Sequence, residues 1–480
     1  MTVFNRRLAI KLDSELVWAW WLILLFSGFL LLNFWQGFNL AVYLAVAIFG
    51  LLIPVVYPRA GLYALTWLTL VFAKFFTLQS FVFNQQEYKF YLVDIIFTGI
   101  LIGLLPRLLK GRLKLPLKLP DLLLLAFFLL TFVYFALSVL SWNGNFALSF
   151  SSFKNYAFYP LFYFVAYWLL ADKRTLKLWL SFVVSGAVAI IGFIIYGLVN
   201  GQGLWTEITP LSTIGSRILD FDHAFYLCLV VIFCLVYLVY KRGASLPWFY
   251  LLVPLWLVGI VGSLMRHLWV ALALTVAAIY LWLPAVKRAN LRRLLVSYGV
   301  VLLILGVVAI WLVNILPFSG FSRVYQEAAN QLSTRAESLT NPNDTSFAWR
   351  TAVWQSIWQK YKTNVITGLG FGQKVFIDMG DYRDYIEVRN AHNSFLAIFV
   401  QLGLAGFILF VWFGWATFWR LLKSPAATDQ ALVAKYSLAG IIIFCTAAFL
   451  FQPYLEANFF NIPFWLSLGL ARRAYEGFTG

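Results

Sequence analysis

The chain has 480 residues, of which 62% are hydrophobic, 19% aromatic and 11% charged, with a formal net charge of +17. Apolar runs of about 20 residues, the length that crosses a hydrocarbon core, recur throughout and exclude a soluble globular protein. They also turn the basic excess away from nucleic acid, because positive charge in a membrane protein must first be sorted by side.

In chain order, the first run at 17–34 follows Arg6, Arg7 and Lys11 and is too long for a signal peptide, so it is expected to stay as a span. Further runs lie at 38–56, 61–81, 90–106, 121–141, 153–170, 176–199, 221–240, 247–263, 267–284, 294–315, 393–418, 434–452 and 457–471, about fourteen in all. A bilayer forces every backbone group to be paired internally, so the expected fold is an all-α polytopic helical bundle, one membrane domain over 1–480. Within it, 316–392 is read as a long external loop and 393–480 as the C-terminal helices. Cys228, Cys234 and Cys445 all fall inside apolar runs and read as small core residues rather than as a staple or a zinc site.

With both termini cytoplasmic, 23 of the 36 Lys and Arg fall in inside segments, as the positive-inside rule requires. The other 13 need a separate reason: Lys74, Lys89, Lys154, Arg217, Arg266 and eight between 316 and 391, including Arg350 and Arg389. The loop's "RTAVWQSIWQKYK" (350–362) reads as a helix lying against the membrane surface within an ordered cap, its Trp354 and Trp358 serving as anchors before sugar-stacking platforms.

Three segments bring ionisable groups to the outer ends of spans: "STIGSRILDFDHAFYL" with Arg217 and His223, "VGSLMRHLWVALAL" with Arg266 and His267, and "EVRNAHNSFL" with Arg389, His392 and Asn393. Each also has a plain reading, namely arginines snorkelling to lipid phosphate and Asn393 or Ser394 capping a helix. "DFD" (220–222) and "DMGDYRD" (378–384) invite a metal, but such spacings do not specify one and none is expected. "GLGFG" (368–372) lacks the strand and helix of a dinucleotide site and reads as a flexible turn, while "NDT" (343–345) is a common triplet.

The order of these segments, with the Trp-rich stretch running into "GLGFGQ" and then "AHNSFLAIFVQLGLAGFILF", resembles the O-antigen ligase and polymerase superfamily, the WaaL and Wzy proteins, over about residues 205–420. The resemblance implies a GT-C-like membrane glycosyltransferase of the bacterial inner membrane, working on its outer face in lipopolysaccharide or polysaccharide biosynthesis. It implies a polyprenyl (undecaprenyl) diphosphate-linked glycan as donor, and places catalytic roles on His392, Arg217 and Arg266. Arg389, Asn393, Arg350, His223 and His267 are the expected substrate-binding residues. His223 stands where relatives commonly show Asn, and His267 where a small residue is more usual.

The chemistry agrees with this resemblance. A departing diphosphate gathers negative charge, which the planar guanidinium fork holds without a metal or other cofactor, and a sugar hydroxyl gains nucleophilicity as an imidazole accepts its proton. A polymerase extending a lipid-linked repeat unit is the first reading, and a ligase acting on lipid A core, or a protein O-oligosaccharyltransferase, the alternative. A polysaccharide transporter or flippase is the remote one, since no internal repeat is visible. Expected partners are the lipid-linked donor, the glycan, lipid A core or lipid-linked acceptor, membrane lipids and components of polysaccharide assembly and chain-length control.

Overall fold

A computed structural model describes residues 2–83, 86–88, 90–200, 217–241, 248–315, 345–378 and 383–478. The fold is an all-α polytopic bundle with two small hairpins. Its helices are α1 (Thr2–Gln36), α2 (Leu40–Val56), α3 (Pro58–Thr77), α4 (Leu92–Leu109), α5 (Leu119–Leu140), α6 (Phe146–Phe153), α7 (Phe162–Leu169) and α8 (Lys173–Asn200). There follow α9 (Phe221–Tyr240), α10 (Trp248–Gly262), α11 (Arg266–Trp282), α12 (Ala285–Ile315), α13 (Thr345–Tyr361), α14 (Ser394–Lys423), α15 (Asp429–Phe449) and α16 (Asn458–Ala474).

All fourteen expected runs fall on helix. Among the described residues nine helices are long and apolar enough to cross a bilayer, and α2, α10 and α11 are shorter apolar helices. The remaining two runs are α16, which carries a buried Arg472 held by Asp121 at 3.1 Å, and the interrupted element from α6 to α7. There the chain passes through a π-turn at Lys154–Phe158 and a 3-10 turn at Tyr159–Leu161, where Pro160 has no amide to continue the helix.

Two of the basic residues that the side rule left over have buried acidic partners. Lys154 meets Asp94 at 2.6 Å, and Lys74 meets Asp220 at 2.6 Å with Asp222 at 4.0 Å. Lys74 stands just past a break in α3 at Ala73, whose φ is 43°. Lys89 lies outside the described residues.

The principal packing pairs are α2 with α4, α5 with α14, α7 with α16, α1 and α4 with α3, and α15 with α9 and α11. A second, smaller core lies beside this bundle: Val353, Ile357 and Tyr361 of α13 close over Leu369, Val375, Ile377, Val388, Ala391 and Val400. The hairpin of β3 (Lys374–Asp378) and β4 (Arg383–Glu387) belongs to the same unit. The apolar side of α13 faces a protein core of its own, and the Trp354 indole donates to the Ala391 carbonyl at 2.8 Å, while Trp358 is exposed. The hairpin also gives the acidic run a partner, because Asp378 pairs with Arg383 at 3.1 Å. Residues 316–344 and 379–382 of the expected loop, with most of the "NDT" triplet, lie outside the described residues.

The "GLGFG" segment is the seam between cap and bundle, not a flexible turn. Helix α14 breaks at Gly403, where φ is 64°, and the carbonyls of Val400 and Gln401 accept from the amides of Leu369 at 2.7 Å and Gly370 at 3.1 Å. The Phe371 amide donates to Ser138 Oγ at 2.7 Å, and the Asn145 amide to the Gly372 carbonyl at 3.3 Å. Non-helical backbone at this depth has to find partners in protein, and here the cap loop and the helix break satisfy each other.

Candidate active site

The seam sets the end of α14 that begins with "AHNSF". Asn393 is the N-cap: its side-chain oxygen accepts from the Leu396 amide at 3.0 Å, in the way short polar residues start helices. His392 therefore lies one residue outside the helix, with φ 51°, a left-handed conformation that bulky residues seldom adopt and histidine tolerates better than most. Its ring stands edge-on to Trp349 of α13, with centroids 4.7 Å apart. The Gln452 side chain accepts a hydrogen bond from the ring, and Nδ1 is buried with no hydrogen-bond partner among the described residues.

Burial first, and then the charge of Arg350, pull the His392 pKa down to about 4, the Gln452 bond opposing them. The imidazole is thus neutral at pH 7, the form that can accept a proton. Arg350, one residue beyond Trp349 on α13, bears electrostatically on His267 as well, and so do Arg217 and Arg266. Of the expected residues, then, the fold gathers Arg217, Arg266 and Arg350 around His267, and joins His392 to them through Arg350. His267 Nε2 lies 2.5 Å from the Tyr454 hydroxyl, in the turn between α15 and α16.

Two expected residues are placed differently. His223 is fully buried in α9, where Nε2 donates to the Val71 carbonyl at 3.0 Å beside the α3 break and its charged neighbours are Asp220 and Lys74. Arg389 donates to Glu387 at 2.5 Å and to Ser151 Oγ at 2.7 Å. Burial works to lower the Arg389 pKa, but Glu456 and Glu387 outweigh it and raise it.

Sequence reasoning missed the turn "QPYLE" (452–456). Besides Gln452 and Tyr454 it supplies Glu456, which accepts from Tyr156 at 2.6 Å, Gln401 at 2.6 Å and Ser152 at 3.2 Å. The available signal was a Gln and a Glu in a short turn between two apolar runs.

A family model described as O-antigen ligase, Wzy_C, matches residues 250–411, from α10 into α14. Over these residues the chain is similar to the O-antigen ligase family. The Wzy_C region contains Arg266, His267, Arg350 and His392, while Arg217 and the Gln452–Glu456 turn reach its site from either side. No curated protein matches the chain. The match supports a multi-pass membrane glycosyltransferase of the O-antigen ligase or polymerase type.

Proposed function

We propose that the chain moves a glycan from a polyprenyl diphosphate donor to a hydroxyl acceptor on the outer face of the bacterial inner membrane. What supports the reading is that Arg350 acts electrostatically on both His392 and His267, that Arg217 and Arg266 act on His267, and that among the described residues the Nδ1 of the neutral, partly buried His392 has no hydrogen-bond partner. Arg217, Arg266 and Arg350 hold the diphosphate, and their fixed charge matches the charge that grows as the sugar–phosphate bond breaks. The acceptor oxygen forms the new bond to the anomeric carbon, the prenyl diphosphate leaves with the bonding electrons, and the hydroxyl proton passes to His392. With the ring N–H committed to Gln452, the lone pair for that proton is on Nδ1. A base with a pKa near 4 is weak; the arriving diphosphate offsets Arg350, the smaller of the two causes after burial, and so makes His392 more basic when substrate is present. The guanidiniums supply the positive field, and the scheme calls on no metal.

The polymerase is the first reading, on the expected count of about fourteen apolar runs, of which nine among the described residues are helices long and apolar enough to cross a bilayer. The family description favours the ligase as the second. Reconstitution in liposomes with a defined polyprenyl diphosphate oligosaccharide tests the class. Longer lipid-linked products with a lipid-linked acceptor support the polymerase, and transfer only to lipid A core supports the ligase. Inactivity toward both in correctly folded protein overturns the proposal.

A further inference from the structure

Arg217 and Arg266 stand on separate stretches of chain, yet both act electrostatically on His267. The backbone shows how they are brought together. Arg266 opens α11 just after a tight corner, which Leu264 turns with φ 58°, a left-handed conformation that a bulky residue seldom adopts, while buried. Strain of this kind persists only where the surroundings over-determine it. Here the Leu264 amide donates to the Val261 carbonyl at 3.0 Å, and the Trp269 indole, from the first turn of α11, donates back to the Ile260 carbonyl at 3.0 Å.

The segment carrying Arg217 is laid on the same corner. The Ile218 amide donates at 3.1 Å to the carbonyl of Gly262, the last residue of α10. Glycine permits that approach, because a methyl group on Gly262 would stand 2.9 Å from Ile218 Cβ, an atom that moves only if the backbone moves. Gly259, one turn earlier, makes the same room for Leu219, whose Cδ2 would be 3.0 Å from an added methyl. At the other end of the bridge, Asp220 caps α9 by accepting from the Phe221 amide at 2.7 Å and is gripped by Lys74 at 2.6 Å. Residues 218–220 are therefore tied to α10 on one side and to α3 on the other, and Arg217 adjoins the first tie.

We infer that Gly262 and Ile218 form a clasp that holds Arg217 in register with Arg266, so that both guanidiniums meet one anion. The inference takes that anion, the donor's diphosphate, from the proposed function. Both are positioning residues, since Gly262 has no side chain and its carbonyl is engaged by Ile218, whose own side chain is apolar. What they contribute is order in advance: two cationic forks fixed to one corner lose little freedom when the anion arrives. A clasp that served packing alone would make a different forecast. A methyl on Gly262 would then lower stability, and its effect on binding would be the same whether or not Arg217 is present.

The test is a double-variant cycle on the full-length protein in detergent, with binding of farnesyl diphosphate read by calorimetry and without turnover. Gly262→Ala should weaken binding about tenfold, the worth of about one hydrogen bond to a charged group, and Arg217→Gln at least as much. The two together should bind within about twofold of Arg217→Gln alone, because an arginine already removed cannot be misplaced. Gly414→Ala, whose added methyl has nothing within 4 Å, is the control and should bind as the wild type does. If Gly262→Ala does not fold, Asp220→Asn, which loosens the other end of the bridge, takes its place in the cycle with the same expectation. Equal losses with and without Arg217, where Arg217→Gln itself weakens binding, overturn the clasp and leave the proposed function standing. Undiminished binding in both Arg217→Gln and Arg266→Gln removes the diphosphate from the proposed function, and the clasp with it.

Discussion

Arg350 and His392 sit on different elements, the cap helix α13 and the residue before the α14 cap, and the charge of the first helps keep the second unprotonated. An imidazole beside a cation in this way stays neutral over a wide pH range, and an anion that offset Arg350 would raise its basicity.

The pH profile should reveal this pairing. The His392 pKa is lowered to about 4 in the free protein, and a base loses activity as pH falls through its pKa. The kcat/KM of the wild type should therefore stay flat from neutrality to within about one unit of that value. Arg350→Gln removes a charge that opposes protonation, so the acid limb should move to higher pH, whereas Arg350→Lys should keep it low. An unmoved limb in Arg350→Gln would disconnect the pair.

His392→Ala is expected to insert and to bind polyprenyl diphosphate, yet to lose about a hundredfold to ten-thousandfold in kcat. A residue serving only as helix entry would cost about 1 kcal/mol of stability and little rate. His223→Ala, in a packed position away from the arginines, should lower the melting temperature before it lowers kcat. Purified donor and acceptor in detergent suffice to separate the cases, and an active His392→Ala enzyme would remove the base from the scheme.

The spans were legible because about 20 consecutive apolar residues have only one common use. Arg217, Arg266 and His392 stood out because charge at the border of a span is costly enough to need a reason. Glu456 was not legible, since its donors Gln401 and Tyr156 lie 55 and 300 residues away and no local pattern announces such a meeting. Lys74 and Lys154 were visible as anomalies, but their carboxylates were not identifiable before the helices were placed. "GLGFG" is legible in the sequence as non-helical but not as tightly held, because its backbone partners exist only where α14 breaks.

That seam is tested by glycine. A methyl group on Gly403, where φ is 64°, would run into the Ile366 carbonyl oxygen, and one on Gly368 would stand 2.6 Å from the Gly403 nitrogen. Gly403→Ala and Gly368→Ala should each cost upwards of about 2 kcal/mol, by strain and by steric conflict. Gly414→Ala, with nothing within 4 Å, should be neutral or slightly stabilising. Thermal unfolding in detergent measures all three, and equal melting temperatures would mean that the seam yields.

The buried pair of Lys74 and Asp220 should show the asymmetry of paired charges. Lys74→Met alone leaves carboxylates buried without their cation and should cost about 3–5 kcal/mol. Adding Asp220→Asn should recover a good part of that loss. A double variant less stable than the single one would show that the pair is not the unit.

Sidedness can be read by thiol labelling, with low background because Cys228, Cys234 and Cys445 are all buried. Tyr385→Cys, at an exposed hairpin position, should label from outside intact cells, and Lys110→Cys only after permeabilisation. The reverse pattern would place the imidazole in the cytoplasm and end the proposed reaction.

The seam also limits modularity. The glycine turn belongs to the stretch that matches the ligase family, but it is seated on Ser138 and Asn145, more than a hundred residues before that stretch begins. A chimera cut at residue 250 would bring His392 with its motif and leave behind the ledge on which the motif rests. The early helices thus support the candidate site by architecture, and exchanging them between relatives should alter the setting of His392 while every residue named in the proposed chemistry stays the same.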